Sequence, residues 1–202
     1  AAILVPMQIF VGDMHGLNTL KYQPQKVAAI EGLWETTKGA PLVLFAMPNS
    51  KTKTNDFAIE IPKGASLLLK HDLNGEIKGI DAFGDKHPPV AKVFWSFRIM
   101  VGVGVLMLLT AWSGVYLFRK NTNYIPDGYA KVLYAMTFSG WFATIAGWYV
   151  TEIGRQPWLV QGVLTTADAA NPVSQKLLVT SLTMYLTMYI FLLIAFVGTV
   201  FY

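Results

Sequence analysis

Three uninterrupted apolar stretches, at residues 93–118, 132–150 and 177–202, decide what this chain can fold into. Crossing the hydrocarbon of a bilayer takes about 20 mostly apolar residues, and each stretch is about that long or longer. Inside lipid no water satisfies the backbone amides, so such segments become helices. The expected fold class is therefore all-α, a polytopic transmembrane helix bundle with three complete spans. A further apolar run at residues 1–11 is about half a span long and lacks the basic flank and cleavage site of a signal peptide. It reads as the end of a truncated transmembrane helix. Ala1 in place of an initiator Met, and Tyr202 standing inside an apolar run, fit a fragment.

The balance of 53% hydrophobic and 14% charged residues points to lipid as the main solvent, since about a quarter of an average soluble domain is charged. No cysteine is present, which excludes disulfides, thiolate metal sites and iron–sulfur clusters. Any iron must sit on nitrogen, thioether or carboxylate ligands. The formal charge of +4 comes mainly from scattered lysines, without the dense basic run that nucleic acid requires.

The organisation expected is a helix end at 1–12, a large extramembrane loop at 13–92, and membrane helices with short connections at 93–202. The loop is rich in Lys, Asp, Glu, Gly and Pro and is expected to be solvated, with little core. Its Asn74-Gly75 pair favours a tight hairpin turn. The connection Arg119-Lys120-Asn121-Thr122-Asn123 is short and basic, which places it in the cytoplasm by the positive-inside rule. The large loop and the loop at 154–172 then face outside.

Several residues need a reason to be where they are. Arg98 lies inside the first long apolar stretch, where an ionised side chain needs an anion or must snorkel to the interface. Met100 reads as packing, although a thioether is also a soft axial ligand for haem iron. Trp148, Glu152 and Arg155 follow one another at helical spacings of four and three, so an indole, a carboxylate and a cation meet near one membrane surface. They fit an interfacial helix end with a local ion pair. They equally fit a redox site with an iron-holding carboxylate and an arginine on haem propionates. Lys26 and Glu31 read as the solvated face of a short helix; as a site, they could hydrogen-bond the two oxygens of a quinol. His15, His71 and His87 all lie outside the full spans.

The segments Phe94-Trp95-Ser96-Phe97-Arg98-Ile99-Met100 and Gly147-Trp148-Tyr149-Val150-Thr151-Glu152-Ile153-Gly154-Arg155-Gln156-Pro157-Trp158 resemble cytochrome bd oxidase subunit I. So does Gly12-Asp13-Met14-His15-Gly16, followed by Lys26 to Glu35, which looks like the start of that family's quinol loop. The resemblance covers essentially the whole chain and is nearest the short-loop, cyanide-insensitive branch. It implies a quinol:O2 oxidoreductase that reduces O2 to water and adds to the proton gradient without pumping, in the bacterial inner membrane with the large loop periplasmic. The implied cofactors are low-spin haem b, high-spin haem b and haem d. Met100 would be an axial ligand and Arg98 a support of the low-spin haem. Glu152 would ligate high-spin iron, Trp148 would lie between haems, Arg155 would hold propionates, and Lys26 with Glu31 would bind quinol. Subunit II is the implied partner, with room for a small single-span subunit. The family's histidine ligands belong to helices upstream of Ala1, so this chain alone is expected to be inactive. The competing reading is a non-enzymatic transporter or scaffold fragment, with Gly102, Gly104, Gly114, Gly140 and Gly147 serving helix packing. A third, a di-haem quinone reductase anchor, needs paired histidines within the spans.

Overall fold

The structure, a computed structural model, describes residues 1–120, 126–170 and 173–201. Parts of the basic connection, namely Asn121 to Asn123, and Pro172 and Tyr202 lie outside the described residues. The chain divides into two compact units, residues 1–166 and 167–202.

In the first unit, helix α1 spans Leu4–Tyr22. It continues well past the compositional change at residue 12 and carries Asp13 and His15. Helix α2, Pro24–Glu31, starts on a proline, whose missing N–H is not needed in a first turn, and stops at Gly32 in the left-handed region. All residues from Gln25 to Glu31 are buried. The expectation that Lys26 and Glu31 mark a solvated face is thus overturned. The apolar residues Val27, Ala28, Ala29 and Ile30 lie between them, and the helix sinks as a whole.

The expectation of an all-α chain is corrected next. Strand β1 (Thr37–Lys38) is followed by β2 (Leu42–Asn49) and β3 (Thr54–Ile61), which form an antiparallel hairpin. Helix α3, Gly64–Lys70, leads to β4 (Glu76–Ile77), paired with β1. The hairpin turn lies at residues 50–53, and Asn74-Gly75 instead closes a turn in which the Gly75 N–H donates to the Asp72 carbonyl. Shifts in register between Val43, Phe45 and Met47 break the two-residue alternation, which hides the strand in the sequence.

The loop, expected to have little core, packs onto the helices that follow it and holds a small cluster of its own at Leu33, Ala40, Ala65 and Ile77. Ala28, Ala29, Ile30 and Trp34 pack with Ile80, Val90, Val93 and Val150, and Val43 and Ala46 cover Phe94. Asn55 ties β3 to the end of α2, accepting from Trp34 Nε1 (2.9 Å) and donating to the Gly32 carbonyl (2.9 Å). Ser66 accepts from the Ala40 N–H and donates to the Gly75 carbonyl. Gly79 is pressed against the backbone of Glu35, whose carbonyl oxygen would stand 2.6 Å from any added Cβ. Gly79→Ala is expected to cost about 1–3 kcal/mol through overpacking, read as faster protease cleavage of the loop in intact membranes. Unchanged cleavage would mean that the Glu35 segment yields freely.

Helix α4, Val90–Lys120, is the first long apolar element. Helix α5 (Asp127–Ala135), a 3-10 turn (Met136–Phe138) and helix α6 (Ser139–Arg155) follow. The stretch 132–150 is therefore helical but interrupted. Ser139 Oγ donates to the Met136 carbonyl at 2.6 Å, the kind of local bond by which serine tightens a helical turn. Among the described residues, two helices, α4 and α7 (Gln175–Phe201), are by length and composition able to cross a membrane. Tyr129 donates to the Thr110 carbonyl (2.8 Å) where Gly114 leaves space for its ring, which fastens α5 to α4. Beyond α6, β5 (Trp158–Val160) pairs with β6 (Leu164–Thr165).

The second unit holds one long helix, α7, Gln175–Phe201. Its large apolar residues, among them Leu182, Phe191 and Ile194, are exposed all round, as suits a helix facing lipid or other protein.

Candidate functional site

Helices α4 and α6 pack side by side, and α2 lies against both. Every candidate residue belongs to one of these three helices.

Arg98 finds its anion in Glu31. Its Nη2 stands 3.2 Å from Glu31 Oε2, with both side chains largely buried. The same guanidinium donates to the carbonyls of Ile30 and Val43 and lies over the Phe94 ring at 4.0 Å. One side chain of α4 thus holds the end of α2 and the start of β2. Burial raises the Glu31 carboxyl above the ordinary glutamate range, and Arg98 pulls it partly back.

Lys26 faces elsewhere. Residues five apart on an α-helix diverge by about 140°, so Lys26 and Glu31 take separate partners. The ammonium of Lys26 donates to Gln23 Oε1 at 3.1 Å, and its stem crosses Gly154. A Cβ there would come within 2.7 Å of Lys26 Cε and 3.0 Å of Cγ. Lys26 thereby reaches the field of Arg155 and Glu152. Burial lowers its pKa first, Arg155 lowers it further, and Glu152 opposes both.

Arg155 and Glu152 form the expected pair, Nη2 to Oε2 at 2.5 Å, with both side chains partly exposed. The Arg155 Nε is buried without a hydrogen-bond partner, an orphan donor beside a second cation. Trp148 shares the Glu152 face and is 65% exposed. Met100 turns toward α6, where its sulfur would lie 2.9 Å from a Cβ on Gly147. Glycine leaves the thioether its place.

Several contributors escaped the sequence reading. Gln23 and the Ile30 and Val43 carbonyls carry no signal in residue type. Gly147 was expected to serve helix packing, whereas the value of Gly154 as space for the Lys26 stem shows only in three dimensions. Gln25 also joins α2 to the turn after β5, donating to Gln161 Oε1 at 2.7 Å.

A family model described as cytochrome bd terminal oxidase subunit I matches residues 1–202. The chain belongs to the cytochrome bd oxidase subunit I family. Cytochrome bd ubiquinol oxidase subunit 1 of Bacillus subtilis (strain 168) is 38% identical over 172 residues, covering 80% of this chain and 37% of the relative. Cytochrome bd-II ubiquinol oxidase subunit 1 of Escherichia coli (strain K12) is 30% identical over 262 residues, covering 96% of this chain and 50% of the relative. The solved bd oxidase from Geobacillus thermodenitrificans superposes with a TM-score of 0.81 at 32% identity, over 96% of this chain and 45% of that one. The chain spans half the length or less of these relatives.

Cytochrome bd oxidases carry haem, and the residues here fit one. Porphyrin brings four nitrogens to its iron and asks only axial donors of the protein, a role a thioether fills. Met100 offers that donor, and the orphan Nε of Arg155 suits an acidic oxygen such as a propionate.

Proposed function

We propose that this chain is part of the haem-carrying subunit of a quinol oxidase that oxidises quinol at the outer face of a bacterial cytoplasmic membrane and reduces O2 to water. The family match over the full chain carries the reading. The seating of α2 against both α4 and α6 supports it, because it brings the two expected quinol-loop residues to the helices that bear Met100, Glu152 and Arg155.

In this reading α4, α7 and the interrupted α5–α6 pair each cross the membrane, and α1 contributes the end of a fourth crossing. The region 13–92 forms the periplasmic quinol loop. Subunit II is the partner, with a small single-span subunit as a further one. The alignment with the E. coli relative runs over 262 residues against 202 in this chain, so that relative holds inserted sequence, as a short-loop reading of this chain requires.

Low-spin haem b, high-spin haem b and haem d supply the electron relay and the oxygen chemistry when bound. Met100 would hold low-spin iron, Arg98 would support the same group through its place at the head of α4, and Arg155 would bind propionate oxygen through its free Nε. Glu152, already on Arg155, would ligate high-spin iron, and Trp148 would lie between the groups. Lys26 presents a buried ammonium with a lowered proton affinity. Such a group donates a hydrogen bond to a quinol oxygen, and as the neutral amine it can accept the hydroxyl proton. Glu31, held by Arg98, would orient the second oxygen. Protons leave the quinol outside while those for water come from the cytoplasm, so the turnover is electrogenic without a pump.

The test is a reduced-minus-oxidised visible spectrum of membranes carrying the assembled oxidase, wild type against Met100→Leu. Selective loss of the low-spin haem b band, or its conversion to high spin, is the expected result. An unchanged spectrum removes Met100 as a ligand, and a wild-type spectrum without haem overturns the oxidase reading.

A further inference from the structure

The hairpin β2–β3 carries an apolar outer surface that the quinol chemistry does not use. Val43 and Ala46 face inward and are buried. Outward, Phe45 stands opposite Ile59 in the ladder, and Ile61 shares the face of Ile59 by the two-residue repeat of a strand. Phe57 is 81% exposed and Ile59 60%. The tip carries Lys51 and Lys53.

The depth of this surface follows from α4. A hydrocarbon core of about 30 Å takes about 20 helical residues. Counted back from Phe118, next to the basic pair Arg119 and Lys120, those residues end at Ile99. Arg98 therefore stands at the edge of the hydrocarbon and the first two turns of α4 stand among the headgroups. Arg98 holds the Val43 carbonyl of β2, and the Phe45 ring meets Trp95 edge-on at 5.2 Å. The hairpin lies beside α4 at headgroup depth, and its outer face continues the surface of a helix end that bears an interfacial tryptophan.

We infer that the β2–β3 hairpin is an interfacial membrane anchor. Phe45, Phe57, Ile59 and Ile61 lie in the headgroup and upper acyl layer, and Lys51 and Lys53 engage anionic headgroups. The inference rests on α4 being a membrane span. It gives the loop a second attachment, to lipid, besides the Arg98 clamp.

Spin labels on Phe57→Cys, Ile59→Cys, Glu60→Cys and Leu106→Cys would test it in the assembled oxidase, reconstituted in nanodiscs of phosphatidylethanolamine and phosphatidylglycerol. This chain has no cysteine of its own, and signal from the unsubstituted assembly is subtracted. The visible spectrum checks that each variant assembles. The readout is collision of the label with apolar O2 against a water-soluble nickel chelate. A several-fold higher O2-to-nickel ratio at 57 and 59 than at 60, with Leu106 higher still, is expected. Water-like nickel access at 57 and 59 with Leu106 in lipid overturns the anchor alone. Protection of 57 and 59 from both reagents would mean that a protein subunit covers the face, which also overturns it. Water access at Leu106 would remove the membrane reading of α4, and the anchor with it.

Discussion

Arg98→Met is expected to release the loop from α4 and to be the most damaging single change in the first unit. It leaves the buried Glu31 carboxyl without its cation and two backbone carbonyls without a donor. Removing one partner of a buried ion pair costs about 3–5 kcal/mol. That corresponds to roughly a 100- to 1000-fold or greater rise in opening, read as faster amide hydrogen exchange across α2 and β2. The pH dependence identifies the cause. Glu31 has a folded-state pKa raised above its unfolded value by burial. Its contribution to stability is present below the ordinary glutamate range and is lost as pH rises through the folded value. Without the guanidinium the folded value moves higher, so the Arg98→Met penalty should be least in acid and grow toward neutral pH. Adding Glu31→Gln should remove that growth. If the single and double variants show the same exchange at every pH, the two carbonyls carry the clamp and the carboxylate does not.

The second large effect is expected at Lys26. Lys26→Met should reduce quinol oxidation by the assembled oxidase on the order of 100-fold, the low end of what a positioned proton-transfer group contributes. Its fold should persist. The Lys26 pKa is depressed in the folded chain by burial and by Arg155, so its contribution to stability is present at high pH and is lost as pH falls through the folded value. At neutral pH the ammonium is thus a burden that an apolar methionine of similar length removes, and hydrogen exchange over α2 should be unchanged or slower. Full activity in Lys26→Met would take quinol binding away from this residue. Lost activity together with faster exchange would make Lys26 a structural residue instead.

What the sequence made legible depends on how far apart the partners stand. The Glu152–Arg155 pair is three residues apart on one helix, and spacing alone predicted it. The apolar length of α4 and α7 was equally plain. Arg98 announced that it needed an anion, but that anion is 67 positions away, on a helix whose charges looked solvated. Nothing in Lys26 or Glu31 says that the helix between them is buried. The hairpin was obscured because its irregular register scatters the apolar residues across both faces. The break before α6 is a 3-10 turn at Met136–Phe138, which a hydropathy pattern does not register. The roles proposed for Met100, Trp148 and Glu152 came through family resemblance, since their surroundings in this chain fit packing and an ion pair as well as a cofactor.

Arg98 and Met100 stand two residues apart on α4, which on an α-helix means about 200° of rotation and about 3 Å of rise. The arginine grips the loop on one flank while the sulfur settles over Gly147 on the other. The helix therefore works as a shaft keyed at both sides. Neither key can turn without the other, and a single residue inserted at Ile99 would swing the thioether by about 100° while the loop stayed fastened.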